Sequence, residues 1–395
     1  MRKNGVNRKL RPIEGGICAA TGFFASAVSC GVRADGGFDF ALVAADKRCA
    51  AAYLPLGGEN PAFSAINRRY LKNGYAQALF VNSGKANIFQ ENGEKYTESL
   101  AREVDRFTRF LKSETLYFSC GEIAEKFPIA SYLEKIKELV NGLGCSEEHS
   151  ERVTRTLLRN DCVAKQFAFS YDIGDFPCKI GGICKGGSDG RIVLLATDAK
   201  ISTQMLQRAL ETETRETLGC LAFGYSPTPN DCVCILANGK AENCLIDCAD
   251  SEYKKFAFAL RSTLTEVCKI LAGGATGSAA FQCSVVGAKS KQAARLFAKA
   301  LALSDSLRGA NLRGRMDLNA LIYTLVSVDE SLDIQGLRIT LCGDGERVTV
   351  FDCGKKMPYL KESVQKIFSA KEIKIDVSLG AGNYAATAFG QTWIP

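Results

Sequence analysis

Apolar residues in this chain gather in short runs separated by polar or glycine-bearing breaks. Residues 38–54 contain the run FDFALVAAD and read as a strand, and residues 78–84, ALFVNSG, read as a strand running into a glycine turn. Leu100, Val104, Phe107 and Leu111 recur at helical spacing. Ile136, Leu139 and Val140 mark another helix, which Asn141-Gly142 closes as a C-cap. Further helices are predicted at about 203–217, 252–271, 288–303 and 360–369. Strands are predicted at about 166–173, 191–197, 232–237, 337–342, 347–351 and 373–379, the last with clean alternation at Ile373, Ile375, Val377 and Leu379. Strands and helices come in clusters instead of strict alternation, which favours stacked α and β layers over a doubly wound parallel sheet. The run Ile192-Val193-Leu194-Leu195 is too continuous for a half-exposed strand and predicts one covered on both faces, with a loop at 183–190 at its mouth.

Composition narrows the class without naming a function. The 395 residues suit two α/β domains or one large layered one, and 46% hydrophobic with 24% charged residues is ordinary for a globular protein. No apolar run is long enough to span a bilayer, so no membrane association is expected. The basic start MRKNGVNRKLRP lacks an apolar core behind it and does not read as a secretory signal, and the cytoplasm is the expected compartment. The net charge of +7 is spread over the whole chain without a recognisable nucleic-acid motif, so no nucleic-acid partner is expected. There are 17 cysteines and one histidine, His149, which lies in the polar stretch CSEEHSER and reads as a surface residue. No cysteine pair has CxxC spacing, and Cys232/Cys234 and Cys244/Cys248 do not make a zinc site. Cys232 and Cys234 fall in a strand with both thiols on one side, and most cysteines read as small buried hydrophobes. No metal or cofactor is expected.

The nucleotide-binding signatures GxxxxGK[ST] and GxGxxG after a strand are missing. What remains is a set of glycine turns at strand ends: GGICAATGF (15–23), VNSGKAN (81–87), SCGEI (119–123), IGGICKGG (180–187) and LANGKA (236–241). Lys185 sits in the fourth, where a lysine amid glycines reads either as an anion contact or as a solvated cation. ALVAADK (41–47) and VLLATDAK (193–200) look alike, a short hint of related halves.

Taken in order, these segments resemble the ornithine acetyltransferases, also called the glutamate N-acetyltransferase or ArgJ family, from about residue 15 to about 390. GGICAATGFFASAVSCGV resembles the family's opening, VNSGKAN its VNSGNAN turn, and NDCVCILANGKA its NDTVLLLANG. Residues 160–186 are similar, without a gap, to its TDTFPKEA…IGG-M-AKG segment. The resemblance implies a layered α/β sandwich of the ornithine acetyltransferase (DmpA/ArgJ-like) type. It also implies a chain that cuts itself ahead of a threonine, whose hydroxyl then carries acetyl from N-acetylornithine to glutamate. Residues 1–189 correspond to the family's α chain and 190–395 to its β chain. A Thr-Gly turn supplies the family's oxyanion donors. That turn falls on Cys120-Gly121, whose backbone amides could still serve; the substrate threonine falls on Cys162 and the substrate lysine on Lys185.

Other positions depart from the pattern. Counted back from Thr197-Asp198-Ala199, Asp189-Gly190 occupy the Ala-Thr cleavage slot, in a loop about six residues short. Glycine carries no nucleophile, so a single uncut chain is expected. Ser188 and Thr197 are conceivable substitutes, each also readable as an ordinary turn or strand-end residue. The glutamate of the family's DGEGAT is lost in LAGGATG (271–277), and the ending AATAFGQTWIP lacks the expected pocket asparagine and threonine. Two readings stay open: an acyltransferase with a different nucleophile and a small amino-acid substrate, or a catalytically dead binding or assembly subunit. The second would pair with itself as a homo-oligomer or with an active paralogue.

Overall fold

The computed structural model describes residues 10–57, 62–108, 110–123, 125–158, 163–187, 190–222, 228–273, 279–313 and 315–392. The chain forms two compact units, one of residues 1–213 and 227–263, the other of residues 214–226 and 264–395. The junction at 189/190 lies within the first of these.

In the first unit the strands are β1 (Arg11–Pro12), β2 (Phe23–Val28), β3 (Phe40–Pro55), β4 (Tyr75–Asn82), β5 (Thr115–Ser119), β6 (Val163–Ile173), β7 (Phe176–Gly186), β8 (Ile192–Thr197) and β9 (Cys232–Ala237). They join in the order β1-β6-β7-β8-β9-β3-β4-β5, with β2 paired to β3. The pairs β8–β9 and β4–β5 are parallel, and β7–β8 and β9–β3 are antiparallel. Helices α1 (Ala62–Tyr70), α2 (Gly93–Thr108), α3 (Ile129–Asn141) and α4 (Glu147–Leu157) supply the α layer. Their inward residues Ile66, Leu100, Val104, Ile136, Leu139, Val153 and Leu157 share one core with Phe40, Leu42, Phe80, Leu194 and Leu236 of the sheet. α3 ends at Gly142 as the sequence predicts, but α2 stops at Thr108. Phe107 is 41% exposed and Leu111 lies beyond the helix at 58%, so the apolar face of α2 is shorter than the periodicity suggests.

β8 is the interior strand expected from its composition. Ile192, Leu194 and Ala196 enter that core, while Val193 and Leu195 point to the opposite face and are equally buried. Helices α5 (Thr203–Glu216) and α6 (Ser251–Ala272) carry the chain across the division between the units.

The second unit has β10 (Ala280–Ala288), β11 (Arg338–Gly343), β12 (Glu346–Asp352), β13 (Lys355–Lys356), β14 (Glu372–Ser378) and β15 (Tyr384–Gln391), in the order β13-β12-β11-β14-β10-β15. Helices α7 (Lys291–Leu303), α8 (Asp305–Arg308), α9 (Ala310–Arg313), α10 (Leu318–Val328) and α11 (Lys361–Phe368) complete it. The inward set Ile373, Ile375 and Val377 of β14 packs with Ile339, Leu341, Phe297, Leu321 and Ile367. α7 starts at Lys291, later than its apolar pattern suggests, because β10 extends to Ala288 and the Ser290 side chain caps the helix by accepting from the Ala293 amide at 3.0 Å.

Candidate functional site

The parallel pair β4–β5 sends two turns out of the same end of the sheet. After β4, Gly84 adopts φ +88, and after β5, Gly121 adopts φ +129. A β-carbon on Gly121 would lie 2.4 Å from the Gly84 carbonyl, so the two backbones touch only because residue 121 has no side chain. Hydrogen bonds from Glu122 N to Gly84 O (2.9 Å) and Ala86 N to Glu122 O (2.8 Å) lock the turns together, and Lys85 Nζ reaches Glu122 Oε2 at 2.6 Å. Beneath them, Tyr132 donates to the Ser83 carbonyl at 3.0 Å and Asn82 Nδ2 donates to Lys85 O at 2.8 Å.

This packing alters the expectation for Cys120-Gly121. The Cys120 amide donates to Asn82 O at 3.0 Å and its thiol lies 3.7 Å from the same oxygen. One of the two expected oxyanion amides is therefore already committed.

Lys185 is the larger correction. Residues 180–186 are not a turn: they belong to β7, paired with β6 on one side and β8 on the other, and Lys185 stands opposite Ile192. Its side chain is fully buried, so it is not a solvated cation. The glycines misled because they serve close approach instead of turning. A β-carbon on Gly181 would lie 1.9 Å from the Gly16 carbonyl oxygen, where the 3-10 turn Gly16–Ala19 lies on the strand. Of the predicted loop 183–190, residues 183–186 are therefore strand, and Gly190 N donates to Gly187 O at 3.2 Å. Ser188 and Asp189 lie outside the described residues, as does Cys162.

Gly190 sits at φ +120 against the segment that leads into β9. A β-carbon there would come within 2.6 Å of Asn230 Cβ and 2.7 Å of Thr228 Oγ1. Next to it Arg191 and Asp231 form a buried ion pair. Arg191 Nε donates to Oδ2 at 2.6 Å, Arg191 N donates to Oδ1 at 2.8 Å, and Thr228 Oγ1 donates to Oδ1 at 2.8 Å. The parallel register then places Ile192 beside Cys232. Burial holds the Cys232 thiol well above its ordinary range; Cys234, Asp231 and Cys120 add to the rise, and the Lys185 ammonium offsets part of it. Cys120 and Lys185 thus share one buried neighbourhood around Cys232, with Gly190 one residue before Arg191. Cys232 is held there as a neutral thiol, and position 190 offers no side-chain atom for nucleophilic chemistry.

Sequence reasoning missed Arg191, Thr228 and Asp231. The available signal was the polar stretch TPND placed directly before the apolar run of β9. Thr197 is a strand-end residue: it is fully buried, donates to Lys179 O at 2.7 Å and lies 3.1 Å from the Tyr171 hydroxyl. His149 is half-buried in the first turn of α4, with Nδ1 2.6 Å from Ser146 Oγ. Cys232 and Cys234 are buried on the same side of β9, as expected. Among the described residues no group of three or more His, Cys, Asp or Glu could hold a metal ion, and no helix is long and apolar enough to cross a membrane.

A layered α/β protein whose candidate site is made of backbone turns at parallel strand ends is the class these features define. The profile of the ArgJ family matches residues 24–392, and the chain belongs to that family. It is similar to the chloroplastic arginine biosynthesis bifunctional protein ArgJ of Oryza sativa subsp. indica, at 28% identity over 399 residues covering 96% of this chain and 85% of the relative. It is also similar to the glutamate N-acetyltransferase of Methanothermobacter thermautotrophicus, at 26% identity covering 97% of this chain and 95% of the relative. A solved arginine biosynthesis bifunctional protein argJ from Bacillus halodurans matches at 24% identity, 51% of this chain, 93% of that chain and a TM-score of 0.47. The layered α/β fold class implied by the family resemblance holds.

Proposed function

We propose that this chain is an ArgJ-like protein of arginine biosynthesis type that has lost acetyl transfer from N-acetylornithine to glutamate. In this reading it remains one uncut polypeptide and acts in the cytoplasm as a binding or assembly subunit, with a copy of itself or an active relative. The relatives' names bring the acyltransferase reaction to this chain, and one observation argues against its survival. Gly190, in the slot where the family resemblance puts the nucleophile, has a backbone conformation and a packed surround that exclude a side chain. The acetyl transfer assay with N-acetylornithine and glutamate on purified protein tests this, alongside melting curves with ornithine, N-acetylornithine or glutamate at millimolar concentration. No transfer above the buffer rate and no melting shift are expected. Turnover, or a clear rise in melting temperature, overturns the reading.

One observation favours the other reading. The Thr228 hydroxyl lies beside the place a side chain at 190 would fill, and it is already hydrogen-bonded to a carboxylate. Were Thr228 the acyl acceptor, incubation with N-acetylornithine would leave an acetyl adduct on the peptide carrying Thr228, absent from Thr228→Val. The Asp231 carboxylate beside it is already engaged by the Arg191 side chain and the Arg191 amide.

A further inference from the structure

Most of the described cysteines lie buried in strands or helices, but one buried cysteine of the first unit lies against the backbone that leads into an exposed one. Cys18 is in the 3-10 turn Gly16–Ala19 and is 8% exposed; Cys145 is exposed, in the connection between α3 and α4. Cys18 Sγ lies 3.8 Å from the carbonyl oxygen of Gly144, one peptide unit from Cys145. Backbone contacts fix both sides of this approach. Gly144 exchanges hydrogen bonds of 2.8 and 3.1 Å with Ala25, and Ile17 N donates to Ser150 Oγ of α4 at 2.9 Å. The His149 ring packs over Gly144, so that a β-carbon there would be 2.3 Å from Nε2. Burial, and then the neighbouring Cys145, push the Cys18 thiol up to about 12, which leaves Cys145 as the accessible partner of the two.

From this placement we propose that Cys145 and Cys18 are an oxidation site that closes into a reversible disulfide, with Cys145 meeting the oxidant and Cys18 resolving it. The oxidant is a small disulfide, such as oxidised glutathione. The Cys145 thiolate attacks one of its sulfurs, forming a mixed disulfide and expelling one glutathione thiolate. Cys18 loses its proton to a base from the solvent and attacks the Cys145 sulfur; the second glutathione leaves and takes up a proton. Two protein thiols are oxidised, and one glutathione disulfide is reduced to two thiols. The bond would tie the Gly16 turn to the chain ahead of α4. That turn is the one lying on Gly181 of β7, so oxidation stiffens the support of the strand carrying Lys185.

The full chain is equilibrated in glutathione redox buffers, alkylated and peptide-mapped by mass spectrometry. A Cys18–Cys145 linked peptide is expected, together with a rise in melting temperature of about 5–10 °C that dithiothreitol reverses. Cys18→Ala should stop at a glutathione adduct on Cys145, and Cys145→Ser, a change at an exposed position, should abolish both products. A wild-type chain that holds glutathione on Cys145 without the linked peptide, or that links other cysteines instead, overturns the proposal.

Discussion

At Gly190 the backbone decides what chemistry the position can hold. An L side chain at φ +120 is strained in any surroundings, and here it would also press on Asn230 and Thr228. Gly190→Thr is therefore expected to restore neither self-cleavage nor transfer and to lower stability by about 2–5 kcal/mol, read by urea unfolding. A Gly190→Thr protein as stable as its parent and cut at 189/190 would show that the turn is adaptable. The adjacent ion pair makes the second residue-scale prediction. Asp231 is 1% exposed and accepts from the Arg191 side chain, the Arg191 amide and Thr228. Asp231→Ala removes a carboxylate from a buried guanidinium and should cost about 3–5 kcal/mol, whereas a loss below about 1 kcal/mol would mean that water or another acceptor takes over.

Elements were legible where one physical signal dominated. β8 and β9 announce themselves as unbroken apolar runs, and β14 as strict alternation, because a strand buried on two faces or on one leaves those patterns. β7 did not, since Gly181 and Gly182 read as turn formers while they serve contact with the Gly16 turn and with Phe167 and Leu195. α4 was also missed. Its inner face is Ser150, Val153, Thr154 and Leu157, correctly spaced but half hydroxyl, and the hydroxyls are satisfied by Ile17 N and Ser150 O, which no periodicity reveals. Within the candidate site, Cys120, Gly121 and Gly190 were reached only through family resemblance, and Lys185 also through the glycines around it. The Arg191–Asp231 pair joins strands far apart in sequence, and pattern alone cannot pair them. The β7–β8 hairpin carries its own prediction. Closed by the Gly190-to-Gly187 hydrogen bond, with no hydroxyl at 190 to start an acyl shift, it should stay intact. Denaturing mass spectrometry is expected to give one species near 42.6 kDa; two fragments meeting between residues 186 and 191 would contradict it.

Over the whole molecule, buried thiols set the response to alkali. Burial pushes Cys49, Cys178 and Cys184 up to about 12 from the ordinary 9.0, and Tyr117 and Tyr171 well above 10.0. In the unfolded chain the thiols ionise near pH 9, while the folded chain keeps their protons to about pH 12. Between those values the folded state binds more protons, so stability is full below about pH 9 and is lost as pH rises toward 12. Each such thiol steepens the fall by up to about 1.4 kcal/mol per pH unit. Urea midpoints in the presence of a reductant should drop steeply from pH 9 to 11.5, and a flat profile would show that the thiols reach solvent without unfolding.

β3 and β8 share a single neighbour, β9, the last of the three to leave the ribosome. Until residues 198–237 have followed, Ala50–Pro55 and Ile192–Thr197 present apolar edges with no strand to pair, and at about 5–20 residues per second the exposure lasts for seconds. The closing contacts also span nearly two hundred positions, so their loop entropy must be overcome late, and folding of this unit should be slow and dependent on chaperones. A chain ended at residue 213 lacks β9 for good and is expected to collect in the insoluble fraction; a soluble monomeric 1–213 would mean that the open edges are shielded some other way.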